Sequence, residues 1–337
     1  MDLAVLGKLD RAEYGDIVSR FLKNINFHVP TSDYDMSIQA LAMEHFRSQP
    51  GWDPRLKQRA IQMTKPISVG VAMCFESMPK ETRLAFGIHA SYVLFIDDVA
   101  RELGSALDEF ESRLVAGEPQ GSPVLQSLVN FLIDINRTHL SPFAAAMNTK
   151  AAIEFISGLI MERDYDGMIR LPVGATKFPA YFRQKTGFTE PYGHFCFPEV
   201  MFPAKKYLAC FLHLGLPDLN DFINYTNDIL SFYKESVLGG ERLNYICNVA
   251  STRGVSSGDA LRLVCRDVEQ SVETIRNVLR GHNELLEVVE EFFRGYVAFH
   301  LNQPRYMLPS SGAIYFVRDG NGESFKLIDP EMSSKAA

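Results

Sequence analysis

Long segments of this chain carry apolar residues at three- and four-residue spacing, which is the period of an α-helix. Many of these segments are apolar on more than one face, so we expect helices buried inside a large bundle. Strand signals are poor, because no Asn-Gly turn lies between two alternating apolar runs. The predicted helices cover residues 56–73, 79–103, 122–139, 142–165, 218–235, 256–280 and 283–301.

The segments between these helices are short, and the chain has no repeat, low-complexity tract or long linker that would divide it. Of its 337 residues 46% are hydrophobic, which is enough for a large core without disulfides or a structural metal. The sequence therefore predicts one all-α domain over residues 1–319. A polar, flexible C-terminal tail is expected over residues 320–337.

Charge and composition argue against several classes of protein. The net charge is −7 and no basic stripe with interleaved aromatics occurs, so a nucleic-acid partner is not expected. No uncharged apolar run is long enough to span a membrane, and the N-terminus lacks the pattern of a signal peptide. Five scattered cysteines, no two closer than 14 residues, predict buried thiols and a cytoplasmic location.

Three oxygen-bearing side chains recur at four-residue intervals near the end of the helix predicted over 218–235. Asn227, Ser231 and Glu235 fall on one face of an α-helix over roughly 12 Å. Oxygen is the ligand type that Mg²⁺ prefers, so the stripe is a candidate metal-binding wall. The spacing alone also fits a solvated face of a surface helix.

Two adjacent carboxylates, Asp97 and Asp98, close the apolar run that ends the helix predicted over 79–103. Neighbouring acids repel each other unless a cation neutralises them, which favours a metal site. The alternative is an ordinary helix end in contact with water. Taken with the Asn227 stripe, the pair predicts the facing wall of one divalent-metal site.

The string from Asn227 to Glu235 resembles the N-D-x-x-S-x-x-x-E motif of class I terpene synthases. Its Ser-Phe-Tyr-Lys-Glu ending is similar to the fungal trichodiene-synthase-like group of sesquiterpene cyclases. This resemblance implies a single-domain α-helical bundle with a central active-site cavity. It also implies Mg²⁺ as cofactor, three ions in the family, with Asp97, Asn227, Ser231 and Glu235 as ligands.

The first acidic motif departs from the D-D-x-x-D pattern of that family. Arg101 occupies its third acidic position, and Glu102 follows one residue later. The resemblance therefore makes Asp97 the ligand on this wall. Asp98 and Glu102 become candidate ligands or neighbours of the ligands.

The resemblance also implies basic and hydroxyl groups that bind a diphosphate. An arginine about 44 residues before Asn227 senses the diphosphate in the family, and an Arg-Tyr pair follows the last long helix. The corresponding diphosphate-binding residues here are Arg183, Lys234, Arg305 and Tyr306. Cavity or effector residues are expected at Phe75, Gly187 and Phe188.

By this resemblance, the activity is Mg²⁺-dependent ionisation of farnesyl diphosphate, cyclisation of the carbocation and release of diphosphate. The partner is a small prenyl diphosphate, and monomer and homodimer remain open. One alternative is a prenyl diphosphate chain-elongating synthase, although such enzymes carry two aspartate-rich motifs. The other is a non-catalytic helical binding protein of the same fold, for which Arg101 is the one hint.

Overall fold

The computed structural model describes residues 9–28, 35–165, 168–203, 213–239, 243–303, 306, 308, 315–319 and 322–326. Within these residues the chain is a helical bundle, as the sequence predicts. Its α-helices are α1 (Arg11–Asn24), α2 (Ile38–Ser48), α3 (Pro54–Cys74), α4 (Lys80–Leu103), α5 (Ser105–Asp108), α6 (Phe110–Ala116), α7 (Pro123–Thr138), α8 (Pro142–Tyr165), α9 (Phe178–Thr186), α10 (Glu190–Phe195), α11 (His213–Phe232), α12 (Tyr245–Arg253), α13 (Ser257–Val278) and α14 (Asn283–Asn302).

Local capping explains where several of these helices begin. Asp53 precedes α3, and its side chain accepts hydrogen bonds from the backbone N–H groups of Arg55 and Leu56. Ser122 caps α7 in the same way through the N–H of Val124. In both helices proline occupies the first position, where its missing N–H has no helical partner to lose.

Helix α4 lies in the middle of the bundle, where it packs against α2 and α3. Helix α3 also packs against α14, and α11 packs against α13 and α14. On the other side α8 contacts α7, α9 and α10. The core between them is rich in aromatic side chains with almost no exposure, such as Tyr92, Phe95, Phe222 and Phe292.

The helix that carries the Asn227 stripe does not stay regular. After α11 ends at Phe232, the chain continues as a π-helical turn over Tyr233–Leu238. This turn contains Lys234 and Glu235. Irregular turns of this kind are frequent at functional sites, and the sequence did not predict one here.

A short antiparallel hairpin pairs β1 (Tyr315–Asp319) with β2 (Gly322–Lys326). Strand β2 lies inside the segment 320–337 that the sequence predicts to be a flexible tail. Tyr315 stands opposite Lys326 in this pairing, and the flexible tail over residues 320–337 stays a prediction. The other residues of that segment lie outside the described part of the chain.

The cysteines of the described residues are buried and form no disulfide with one another, namely Cys74, Cys196, Cys247 and Cys265. No helix in this part of the chain is both long and apolar enough to cross a membrane.

Candidate active site

A cavity of about 440 Å³ lies between α3, α4, α8, α9, α11, α12 and α14. Its wall changes character along the helices that form it. On α4 the lining runs from Phe86 through Ala90 and Val93 to Asp97, about 16 Å further along the axis. On α11 it runs from Ile223 to Asn227. One end of the cavity is therefore apolar and the other end collects charged and amide groups.

The structure brings Asp97 and Asp98 to this cavity, and both residues are exposed. Glu102, one turn further on, is not among the lining residues. Its carboxylate pairs with Arg55 and Arg59 of α3, with 2.5 Å between oxygen and nitrogen in each case. The hydrogen bond from Arg59 lowers the pKa of Glu102. Glu102 thus belongs to an ion-pair cluster outside the cavity.

Two of the three residues in the Asn227 stripe line the cavity, namely Asn227 and Glu235. Ser231 is fully buried behind them, and its hydroxyl donates to Oε2 of Glu235 over 2.9 Å. Asn244 donates to the same carboxylate oxygen over 3.0 Å, from the first residue before α12. The Glu235 carboxylate is therefore held from two sides, while it remains 22% exposed.

These side chains fit a hard divalent cation by their chemistry. Carboxylate and amide oxygens line one cavity, the Ser231 hydroxyl lies directly behind Glu235, and Mg²⁺ prefers oxygen ligands of these kinds. No group of three or more His, Cys, Asp or Glu side chains suited to a metal occurs in the described part of the chain. A cation at this site would accordingly use the amide of Asn227 and the hydroxyl of Ser231 as well as carboxylates.

Arg183 lies in the last turn of α9 and reaches across to α11. Its Nε donates to Oδ2 of Asp228 over 2.7 Å, and its Nη2 donates to Oδ1 of Asn227 over 3.1 Å. Burial raises the pKa of Asp228 to about 6, and the contact with Arg183 opposes that shift. The predicted diphosphate sensor is therefore joined directly to the predicted metal wall.

Gly187 ends α9 at a point where no side chain fits. A Cβ there would lie 1.9 Å from Oδ1 of Asn224 and 2.9 Å from the carbonyl oxygen of Arg183. Phe188 follows with a φ of 49°, so the chain turns sharply before α10. Gly187 and Thr186 both line the cavity.

The structure separates the two predicted cavity aromatics. Phe75 lines the cavity and packs against Phe86 and Phe292, with ring centroids 4.6 and 5.4 Å away. Phe188 is not among the lining residues. It packs behind the wall against His89 and Phe155.

Among the remaining predicted diphosphate ligands, Lys234 lines the cavity with its Nζ 3.7 Å from Oε1 of Glu235. Tyr306 also lines it and is buried. Arg305 lies outside the described residues. The structure therefore places Arg183, Lys234 and Tyr306 in the wall of one cavity.

Several lining residues were not singled out as site residues from the sequence. Glu162 lines the cavity from the last turn of α8. Asn244 carries a usable signal, because an asparagine just before an apolar segment is a typical helix cap. His300 carries none, since a lone histidine on an apolar helix is most often a core residue.

Comparison with known proteins shows which family the chain belongs to. The family model of trichodiene synthase (TRI5) matches residues 11–320. An (E)-beta farnesene synthase of Metarhizium brunneum is 31% identical over 302 residues, which is 90% of each chain. Monoterpene synthase 25 of Postia placenta is 29% identical over 294 residues, covering 87% of this chain and 85% of that protein.

A similar fold occurs in the crystal structure of linalool/nerolidol synthase from Streptomyces clavuligerus. The TM-score is 0.62 at 15% identity, covering 81% of this chain and 99% of that one. The fold is that of the class I terpene synthases. With the family match over nearly its whole length, the chain belongs to the trichodiene synthase family and is a terpene synthase, a lyase that acts on a prenyl diphosphate.

Proposed function

We propose that this enzyme is a Mg²⁺-dependent sesquiterpene cyclase that ionises farnesyl diphosphate and cyclises the resulting carbocation. The observation that carries the proposal is the division of one cavity into a polar end and an apolar end. Asp97 and Asp98 face that cavity from α4, and Asn227 and Glu235 face it from α11 and the following turn. The rest of the wall is largely apolar and aromatic.

The polar end suits a diphosphate. Asp97, Asn227, Ser231 and Glu235 would hold Mg²⁺, with Asp98 beside them. Bound Mg²⁺ neutralises charge that develops on the leaving diphosphate. Arg183, Lys234 and Tyr306 would donate hydrogen bonds to the same oxygens and favour departure of the leaving group. Arg305 remains a candidate for the same role.

The apolar end suits a prenyl chain and a carbocation. A volume of about 440 Å³ falls in the ordinary range of small-molecule cavities, about 300–1,000 Å³. Phe75, Phe86, Phe155 and Phe292 turn aromatic surface to this space, and aromatic faces attract cations. Exclusion of water by these side chains would protect the cation from capture until the rings close.

A C15 substrate with a cyclic product is our choice among terpene synthase reactions. The Metarhizium relative is named for farnesene, an open-chain C15 hydrocarbon, whereas the Postia relative is named a monoterpene synthase. Product size and ring closure therefore need direct measurement. We further propose that the enzyme works in the cytoplasm, since its described cysteines are reduced and buried.

The test is incubation of the purified enzyme with Mg²⁺ and geranyl, farnesyl or geranylgeranyl diphosphate, followed by gas chromatography–mass spectrometry. We expect a cyclic C15 hydrocarbon or alcohol from farnesyl diphosphate. An open-chain C15 product would exclude the cyclisation step. In a parallel incubation that also contains isopentenyl diphosphate as the C5 donor, longer diphosphates would indicate chain elongation. Chelation of Mg²⁺ should stop turnover, and turnover that continues in excess chelator would exclude the metal.

A further inference from the structure

His300 lies in the last turn of α14 and is 1% exposed. Its ring packs between Tyr296 and Tyr306, with centroids 4.5 and 4.4 Å away. Packing alone would explain a histidine here as core. The contacts of its two ring nitrogens show more, because one of them reaches Asn227.

The tautomer of His300 follows from its neighbours. Nδ1 is 2.7 Å from the backbone carbonyl oxygen of Tyr296. A carbonyl oxygen only accepts hydrogen bonds, so Nδ1 carries the hydrogen. In the neutral ring Nε2 is then an acceptor. It lies 3.0 Å from Nδ2 of Asn227, which is a donor.

The other end of the Asn227 amide has an independent constraint. Nη2 of Arg183 can only donate, and it lies 3.1 Å from Oδ1 of Asn227. His300 and Arg183 therefore require the same orientation of this amide. An amide oxygen has two lone pairs, and one that binds Arg183 retains the second for a cation.

We propose that His300 is a positioning residue, which holds Asn227 with its amide oxygen, and not its NH₂ group, turned toward the cation. This role rests on the proposed Mg²⁺ ligation by Asn227. Without an acceptor at position 300, Arg183 alone opposes rotation of the amide by half a turn, which would bring Nδ2 to the cation side. An NH₂ group cannot ligate a metal ion, so part of the metal affinity is lost.

The experiment measures Mn²⁺ binding by electron paramagnetic resonance in the presence of inorganic pyrophosphate, with no turnover involved. His300→Phe keeps a ring between the two tyrosines but removes the acceptor. His300→Gln removes the ring but can offer its Oε1 to Asn227. We expect Mn²⁺ affinity to fall about tenfold to a hundredfold in the Phe variant, and by much less in the Gln variant. A purely structural role predicts the opposite order.

Repeating the His300→Phe substitution in an Asn227→Asp variant tests whether the loss of affinity comes from the orientation of the amide. In Asn227→Asp both side-chain oxygens can face the cation, so adding His300→Phe should cost little further Mn²⁺ affinity. An equal loss in both backgrounds would overturn the positioning role. Melting temperatures without metal identify any variant that is not folded.

The tautomer itself can be measured on the unmodified enzyme. Long-range ¹H–¹⁵N correlation spectra should show hydrogen on Nδ1 of His300 and none on Nε2, and hydrogen on Nε2 would overturn the proposal without any variant. Failure of the proposed function looks different. In that case the unmodified enzyme itself would not bind Mn²⁺ with pyrophosphate.

Discussion

Arg183 and Asp228 form a buried ion pair, with 2.7 Å between Nε and Oδ2 and side chains that are 17% and 7% exposed. The pair joins the end of α9 to the C-terminal part of α11, four residues before that helix ends. A second nitrogen of the same guanidinium contacts Asn227. A diphosphate that engages Arg183 would therefore compete with contacts that also shape the metal wall.

The two acidic residues Asp97 and Glu102 lie close in sequence, but only Asp97 lines the cavity. We expect Asp97→Asn to lower turnover of farnesyl diphosphate by at least about a hundredfold, because it removes charge from the proposed metal site. Glu102→Gln is the matched control, since that carboxylate pairs with Arg55 and Arg59. It should change turnover by less than about threefold, as expected for exposed ion pairs.

Steady-state rates across a Mg²⁺ titration check this pair of variants. A higher Mg²⁺ concentration for half-maximal rate in Asp97→Asn, with no such change in Glu102→Gln, would support Asp97 as a metal ligand. Equal losses in the two variants would mean that the cavity geometry does not define the acidic wall.

Gly187 is a position on the cavity wall where a single added methyl group should disturb the packing. Its Cβ would lie 1.9 Å from Oδ1 of Asn224, so Gly187→Ala forces α9 and α11 apart at the cavity wall. We expect a loss of about 1–3 kcal/mol in unfolding free energy, together with a large loss of turnover. Urea denaturation and product assays measure the two effects.

Gly215 provides the control, because it lies in α11 and nothing stands within 4 Å of its would-be Cβ. Gly215→Ala should leave stability unchanged or raise it by up to about 1 kcal/mol, since alanine favours a helix. If Gly187→Ala behaves like Gly215→Ala, the close approach to Asn224 is absent in solution.

The sequence predicted much of this site, and the residues show why. Asn227, Ser231 and Glu235 form a motif within one segment, so their spacing predicts one face of a regular helix. In the structure Glu235 lies in the π-helical turn, and Ser231 is buried behind the cavity wall. Asp97 joins them in the prediction because adjacent acids that close an apolar run favour a cation, and because the family resemblance implies an acidic motif there. The boundaries of α4 and α8 followed from helical periodicity in the same way.

What the sequence could not predict depends on packing between distant segments. His300 meets Asn227 only because α14 and α11 pack together, 73 residues apart in the chain. Glu102 lies outside the cavity, where its carboxylate forms ion pairs with two arginines of α3. The π-helical turn at Tyr233–Leu238 has no signature in the residue pattern.

The two phenylalanines suggested for the cavity should differ in their effect on products. Phe75 touches the space in which the carbocation would rearrange, so Phe75→Leu should change the ratio or identity of the C15 products. Phe188 packs behind the wall, and Phe188→Leu should lower stability while keeping the product pattern. Mass-spectrometric product profiles at matched turnover decide between them. A changed profile in Phe188→Leu alone would reverse their assignment.

Stability should fall in acid because of a buried histidine. Burial lowers the pKa of His89 from 6.5 to about 4, against the opposing hydrogen bond with Asn148. The unfolded chain therefore binds a proton between pH 6.5 and 4 that the folded chain does not. Folding stability falls through that window, by up to about 3 kcal/mol from this residue.

Unfolding free energies of the native enzyme and of His89→Gln, measured from pH 8 to pH 4, test whether stability falls with decreasing pH because of His89. The variant should show a shallower decline below pH 6.5 and a parallel curve above it. Identical slopes in the acidic range would rule out a neutral, buried His89.

In the function proposed here, two walls 130 residues apart, at Asp97 and at Asn227, hold one metal–diphosphate cluster. A crystal structure of the enzyme with Mg²⁺ and inorganic pyrophosphate measures this directly. We predict cations ligated by Asp97 on one side and by Asn227, Ser231 and Glu235 on the other, with Arg183 and Lys234 on the diphosphate. A diphosphate bound elsewhere, or cations that touch neither wall, would contradict the account.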